Sequence, residues 1–313
     1  MRTLAQPSTN CVEWESLLGR LNRLSVTRHF DAYADIDWES ESLRLDPTDP
    51  RCRLLGDEPL AVTAWYAEQP QDVQARLGCD LVASRMKTGL VFESVLQRGL
   101  LEYATTLPNG APEFRYVYHE VVEEAQHSMM FQEFVDRSGF DAVGLPPLER
   151  FVSRWIPRLG RRFTELFFFF VLGGEEPIDH VQRRVLRSGQ DLHPLVERIT
   201  RIHVTEEARH LSFARHNLQR CVPALGRVRR LVLGAVVPLA MAMMARLMLR
   251  PSRQLIRRYR IPARVIRSAY TRNPAYHQQV ARSLAKVHDL CAEVGLTARP
   301  WAWEWRALGL VVT

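Results

Sequence analysis

The chain has 313 residues, of which 46% are hydrophobic and 25% charged. That is enough for one large core and ordinary for a globular protein, so an intrinsically disordered chain is excluded. The formal charge is +7, carried almost wholly by arginine, since Lys87 and Lys286 are the only lysines. No basic stretch is interleaved with aromatic side chains as a base-stacking platform would be, so a nucleic-acid partner is not expected. The five cysteines (Cys11, Cys52, Cys79, Cys221, Cys291) are scattered and contain no Cys-x-x-Cys. This fits a reduced, cytoplasmic protein, not a disulfide scaffold or a zinc ribbon. The first residues, Met-Arg-Thr-Leu-Ala-Gln-Pro, have no apolar core of a secretory signal.

In chain order, residues 1–57 read as a short amphipathic helix near 13–24 followed by an irregular arm. Asp35-Ile-Asp-Trp38 and Asp46-Pro-Thr-Asp-Pro50 are turn chemistry. The arm is expected to wrap a helical body, with Trp38 as its anchor. Pro70 separates a first helix from a long one over about 79–107. Leu90, Val91, Val95, Leu96 and Leu100 give that helix a wide apolar stripe beside Glu93. Leu107-Pro-Asn-Gly-Ala-Pro112 is a strong turn. The next helix, about 113–137, carries Glu120, Glu124 and His127 and stops near Gly139.

Residues 140–160 are a proline-rich crossover. A helix over about 161–187 follows, apolar on all sides through Phe167–Phe170 and therefore buried. Within it, Gly173-Gly-Glu-Glu-Pro177 reads in two ways: a kink or bulge beside Glu176, or a helix end followed by a proline-initiated helix. The helix over about 192–220 holds His203, Glu207 and His210. Leu231–Leu249 approaches the length of a membrane span. Pro238, Arg246 and the flanking arginines argue against one, and a helix buried under the body or at a dimer interface is expected. The basic helices around 253–267 read as a solvated face, and Trp301-Ala-Trp-Glu-Trp305 as a packing plug.

The chemistry lies in a duplicated motif. Glu120-Val-Val-Glu-Glu-Ala-Gln-His127 and His203-Val-Thr-Glu-Glu-Ala-Arg-His210 stand 83 residues apart, with five of eight positions identical. On a helix, residues four and then three apart share one face. Burying imidazoles and carboxylates together there is costly unless a cation binds them. Glu-x-x-His on two helices, with a further Glu from each of two others, is a dinuclear carboxylate pattern. Counting back 31 residues from Glu124 and Glu207 reaches Glu93 and Glu176, both glutamates. That step selects Glu93 over Glu102 and Glu176 over Glu175, while the Glu-x-x-His spacing selects Glu124 over Glu123 and Glu207 over Glu206.

Four glutamates and two histidines form a mixed oxygen and nitrogen shell suited to iron or manganese. Four carboxylates also neutralise two dications, so such a site can be buried. His203, where the first half has Glu120, makes a seventh ligand. Glu120 reads as a hydrogen-bond acceptor behind the ligands. His180, one turn after Glu176, faces the same way and is a candidate substrate contact.

The sequence resembles the p-aminobenzoate N-oxygenases of the AurF type, closely over about 80–215 and loosely at the Asp-Ile-Asp-Trp arm. The resemblance is carried by the His-x3-Glu-x2-His of His203, Glu207 and His210, by Glu124 and His127, by Glu176, and by Glu93. It implies a single all-α domain over 1–313: a ferritin-like four-helix bundle over 79–220, with the arm before it and accessory helices over 221–313. It further implies two iron ions, with manganese possible, and O₂ as co-substrate acting on an aryl-amine nitrogen. The partners it implies are a small amine, free or carrier-bound, an electron-donor reductase or ferredoxin, and a second copy of the chain in a homodimer. A carbon hydroxylase or desaturase of the same superfamily and a non-catalytic metal-binding bundle are the alternatives. Phe131 stands where a ribonucleotide reductase radical subunit would want a tyrosine.

Overall fold

A computed structural model describes residues 9–297 and 301–311. The described residues contain helices and turns and no strand. After α1 (Thr9–Thr27) and the arm come the four long helices of a bundle: α2 (Gln71–Ala104), α3 (Glu113–Ser138), α4 (Thr164–Arg187) and α5 (Pro194–Cys221). They form two hairpins. The turn over 105–112 closes α2 on α3, and Gly110 in it has a φ of 81°. A shorter turn over 188–193 closes α4 on α5, with Gly189 at a φ of 69°. The crossover over 139–163 contains the helices Pro147–Ser153 and Leu159–Arg162.

The core of the bundle is aromatic. Phe167, Phe168, Phe169 and Phe213 are fully buried, and Phe168 packs edge-on to Phe213 with centroids 5.6 Å apart. The phenylalanine run is buried all round because α4 is covered on its outer side by α6 (Arg227–Leu249), which places Val237, Met241 and Met244 against it. Two glycines let this layer close. A Cβ on Gly174 would stand 1.9 Å from the Phe92 ring, and one on Gly99 would stand 2.1 Å from Phe167.

Helix α4 runs unbroken through Pro177. The proline deletes one helix hydrogen bond, and its ring faces the carbonyl of Gly173, a cost of about 3 kcal/mol in an isolated helix. Burial of the surrounding turn between α5 and α6 outweighs it. The stretch Arg227–Arg258 is long and apolar enough to cross a membrane by length and composition. One side of it is packed onto the bundle, where Leu233, Val237 and Met241 are fully buried. Trp305 is buried and the half-buried Trp301 ring packs over Gly234 of α6, whereas Trp303 is 62% exposed, so two of the three C-terminal indoles plug the body.

The arm crosses the mouth between α3 and α5. Trp38 is buried and donates its indole N–H to the carbonyl of Ala32 at 2.7 Å. The amide of Ala32 donates to Gln126 Oε1 on α3 at 2.8 Å. Arg198 on α5 donates to the carbonyl of Asp35 at 2.9 Å. The arm therefore belongs to the wall of the site described next.

Candidate metal centre

The two hairpins face each other and bring eight donor residues to one place. These fall into four overlapping groups: Glu93, His127 and His203; Glu120, Glu124 and His210; Glu124, His127 and Glu207; and Glu175, His203 and Glu207. Within each group one donor atom per residue lies within 4.8 Å of the others. All eight side chains are buried.

The imidazoles turn their Nδ1 atoms inward. His127 Nδ1 is 3.2 Å from Glu124 Oε2 and 3.3 Å from Glu207 Oε1. His210 Nδ1 is 3.2 Å from Glu124 Oε1 and 3.1 Å from Glu207 Oε1. Glu124 and Glu207 thus stand between both histidines, as two bridging carboxylates would.

The outward Nε2 atoms are held across the bundle. His127 Nε2 lies 2.9 Å from Glu206 Oε2, and His210 Nε2 lies 2.8 Å from Glu123 Oε2. Each hairpin thereby supplies the carboxylate that orients the other hairpin's ring. A proton held on Nε2 leaves the Nδ1 lone pair facing inward, the orientation a metal ligand needs. Arg209, 4% exposed, spans the two outer carboxylates, with Nη2 2.9 Å from Glu123 and 3.4 Å from Glu206. The amide of Phe30 in the arm donates to Glu206 Oε1 at 3.0 Å.

His203 is held differently. Its Nδ1 meets Gln182 Oε1 at 2.8 Å, which aims Nε2 at Glu93 Oε1, 3.5 Å away, and at Glu207 Oε1, 3.7 Å away. Glu93, Glu175 and His203 also form part of the wall of a cavity of about 150 Å³, whose remaining surface includes Leu81, Met86, Phe92, Phe131, Ile178 and Val181.

The donor set fits divalent cations. Glu93 Oε2 and Glu207 Oε2 are buried and accept no hydrogen bond. A carboxylate oxygen left so costs several kcal/mol unless a cation or a proton meets it. Among themselves the groups can only share protons. Burial, with neighbouring carboxylates, drives Glu93 and Glu175 well above the usual carboxylate range. Although burial opposes it, bonds to Glu124, Glu206 and Glu207 push His127 well up. His210 rises against the same burial through the Glu207, Glu124 and Glu120 charges. Two protonated imidazoles among carboxylates are the pattern two dications would replace.

A family model for P-aminobenzoate N-oxygenase AurF matches residues 13–295. The chain belongs to the AurF family. It is 40% identical over 284 residues to the uncharacterized protein Rv0885 of Mycobacterium tuberculosis and, equally, to the uncharacterized protein Mb0909 of Mycobacterium bovis. Those alignments cover 91% of this chain and 84% of either relative. No solved structure matches it.

In this AurF-family chain three predicted residues behave otherwise than their spacing suggests. Glu176 turns away from the cluster to pair with Arg215, with Lys286 4.0 Å off, and Glu175 takes the inward position. The physical reason is hairpin length. The second hairpin has the shorter turn but longer arms, so 32 residues separate its facing carboxylates where the first needs 31. Neighbouring helix positions differ by about 100°, so one residue of slip sends the side chain elsewhere. His180 is carried out with Glu176 and lines a polar surface pocket with Asp57 and Arg184. Ile178 and Gln182, three and seven residues after Glu175, take the inward face instead. Glu120 is buried here too, but neither of its oxygens accepts a hydrogen bond, so it is no outer acceptor. That role belongs to Glu123 and Glu206. Their signal was legible as the doubled Glu-Glu of both motifs.

Proposed function

We propose that this protein is a non-haem di-iron oxygenase that uses O₂ to oxidise the nitrogen of a small amine. The ligands in this reading are Glu93, Glu124, His127, Glu175, His203, Glu207 and His210. The observation that carries it is the contact between this donor cluster and a cavity with mostly apolar walls, in a chain of the AurF family. When bound, the two ions would supply the electrons and the place where O₂ reacts; manganese can occupy the same donor set.

The protein's own residues do the rest. Leu81, Phe92, Phe131 and Ile178 exclude water from the substrate and pack a flat apolar body. Glu93 and Glu175 are carboxylates in the cavity wall, where they can accept N–H from a substrate amine. Gln182 locks His203 so that Nε2, not Nδ1, is presented to the centre.

The same proposal includes an electron-donor reductase or ferredoxin, a free or carrier-bound amine, a homodimer and a cytoplasmic setting. The test is direct. Protein loaded anaerobically with Fe(II), then given O₂ and a panel of aryl and alkyl amines, should yield hydroxylamine, nitroso or nitro products by mass spectrometry. Hydroxylated or desaturated carbon products from the same panel would move the assignment to a carbon oxygenase. No product from any amine, with iron bound, would remove the N-oxygenase reading.

A further inference from the structure

Glu120 and His203 are the one matched pair in the cluster whose residue types differ between the two hairpins. Glu120 sits on the inward face of α3, four residues before Glu124 and seven before His127. It has no exposed surface, and neither carboxylate oxygen accepts a hydrogen bond among the described residues. Tyr116, one turn earlier, does not relieve it, because its buried hydroxyl is itself unpartnered. Buried glutamates on the outer side of the cluster are matched by donors. Glu123 meets His210 and Arg209, and Glu206 meets His127, Arg209 and the Phe30 amide. Glu120 instead lies with its oxygen in one group with Glu124 and His210, within 4.8 Å.

We infer that Glu120 is an eighth metal ligand, a terminal carboxylate on the ion that His210 and Glu124 hold. The inference rests on the dinuclear centre proposed above. It makes the two ions unlike in a defined way: the group on the His127 side gains an imidazole from His203, and the group on the His210 side gains an anion from Glu120. Five carboxylates around two dications leave one negative charge in excess. Such a shell favours a metal that can rise by one charge, as iron and manganese can and zinc cannot. Glu120 does not line the cavity, so it acts from the side of the centre away from substrate.

The test uses metal binding and not turnover. Wild-type protein and the variants Glu120→Gln and Glu120→Ala are titrated anaerobically with Fe(II) and with Co(II), with metal content counted by mass spectrometry. Two ions per wild-type chain support the centre; fewer than two, with all other donors intact, overturn the proposed function itself. With wild type at two, both variants should keep one ion at wild-type affinity. They should bind the other at least about tenfold more weakly, with a changed Co(II) visible spectrum. Alanine is included because a glutamine amide oxygen can itself ligate. Thermal unfolding of the metal-free proteins separates a structural role. An unpartnered carboxylate predicts that the near-isosteric Glu120→Gln is as stable as wild type or more so, together with a smaller rise in Tm on adding metal. Two ions bound at wild-type affinity in both variants, or a metal-free Glu120→Gln protein that loses stability, overturn the inference.

Discussion

The outer nitrogen of His127 lies 2.9 Å from a carboxylate oxygen of Glu206, a residue 79 positions away on the opposite hairpin. The relation is returned by Glu123 and His210 at 2.8 Å. The two hairpins are therefore tied at the rings they present, and the tie sets which imidazole nitrogen is free. Glu206→Gln keeps an acceptor but removes its charge. It should weaken metal binding by about 10- to 100-fold, the usual cost of losing such an outer partner. Calorimetric titration of Mn(II) or Fe(II) reads this, and an unchanged affinity would show that ring orientation does not depend on Glu206.

Glu175 and Glu176 make a paired experiment. Glu175→Gln should cost one of two bound ions. Glu176→Gln should retain both, losing stability by about 1–2 kcal/mol because partly buried Arg215 is left without its carboxylate. Metal counting together with urea unfolding distinguishes the two. The reverse pattern would restore the residue spacing as the better guide to the ligand.

Metal loading should release protons. Glu93, Glu120 and Glu175 are all raised by burial, and His127 and His210 are raised by their carboxylate partners against burial. In each of these groups the shift favours the protonated form, whose proton a dication would displace, so loading should acidify the solution. A pH-stat titration in unbuffered solution counts the protons released. Release of none would mean that the imidazoles and carboxylates enter binding already deprotonated.

His203 makes the metal-free protein sensitive to acid. Burial pushes its imidazole down to about 4 from an ordinary 6.5. Between those values the unfolded chain binds a proton that the folded chain refuses, so stability rises with pH in that window. The contribution is full above pH 6.5 and is lost as pH falls from 6.5 toward 4, a change of about 3 kcal/mol at most. His203→Gln should flatten that part of the stability profile, measured by urea unfolding in the chelated protein. A slope unchanged in the variant would place the acid sensitivity elsewhere.

Sequence alone determined much of this molecule. The repeat of Glu-Glu-Ala-x-His, the turn at 107–112 and the unbroken apolar run at 167–170 already specified two facing hairpins with imidazoles and carboxylates inside. Glu93, Glu124, His127, His203, Glu207 and His210 could be named because helical periodicity is local and survives in a single strand of text. The tertiary structure decided what depends on closure. It chose Glu175 over Glu176, sent His180 outward, gave Glu123 and Glu206 to the backs of the rings, and left Glu120 facing inward without a donor. It also carried α4 unbroken through Pro177, since burial between two neighbouring helices outweighs a lost hydrogen bond. Each of these turns on the relative rotation of packed helices. One residue in the length of a hairpin arm changes that rotation by about 100°, and only packing sets it.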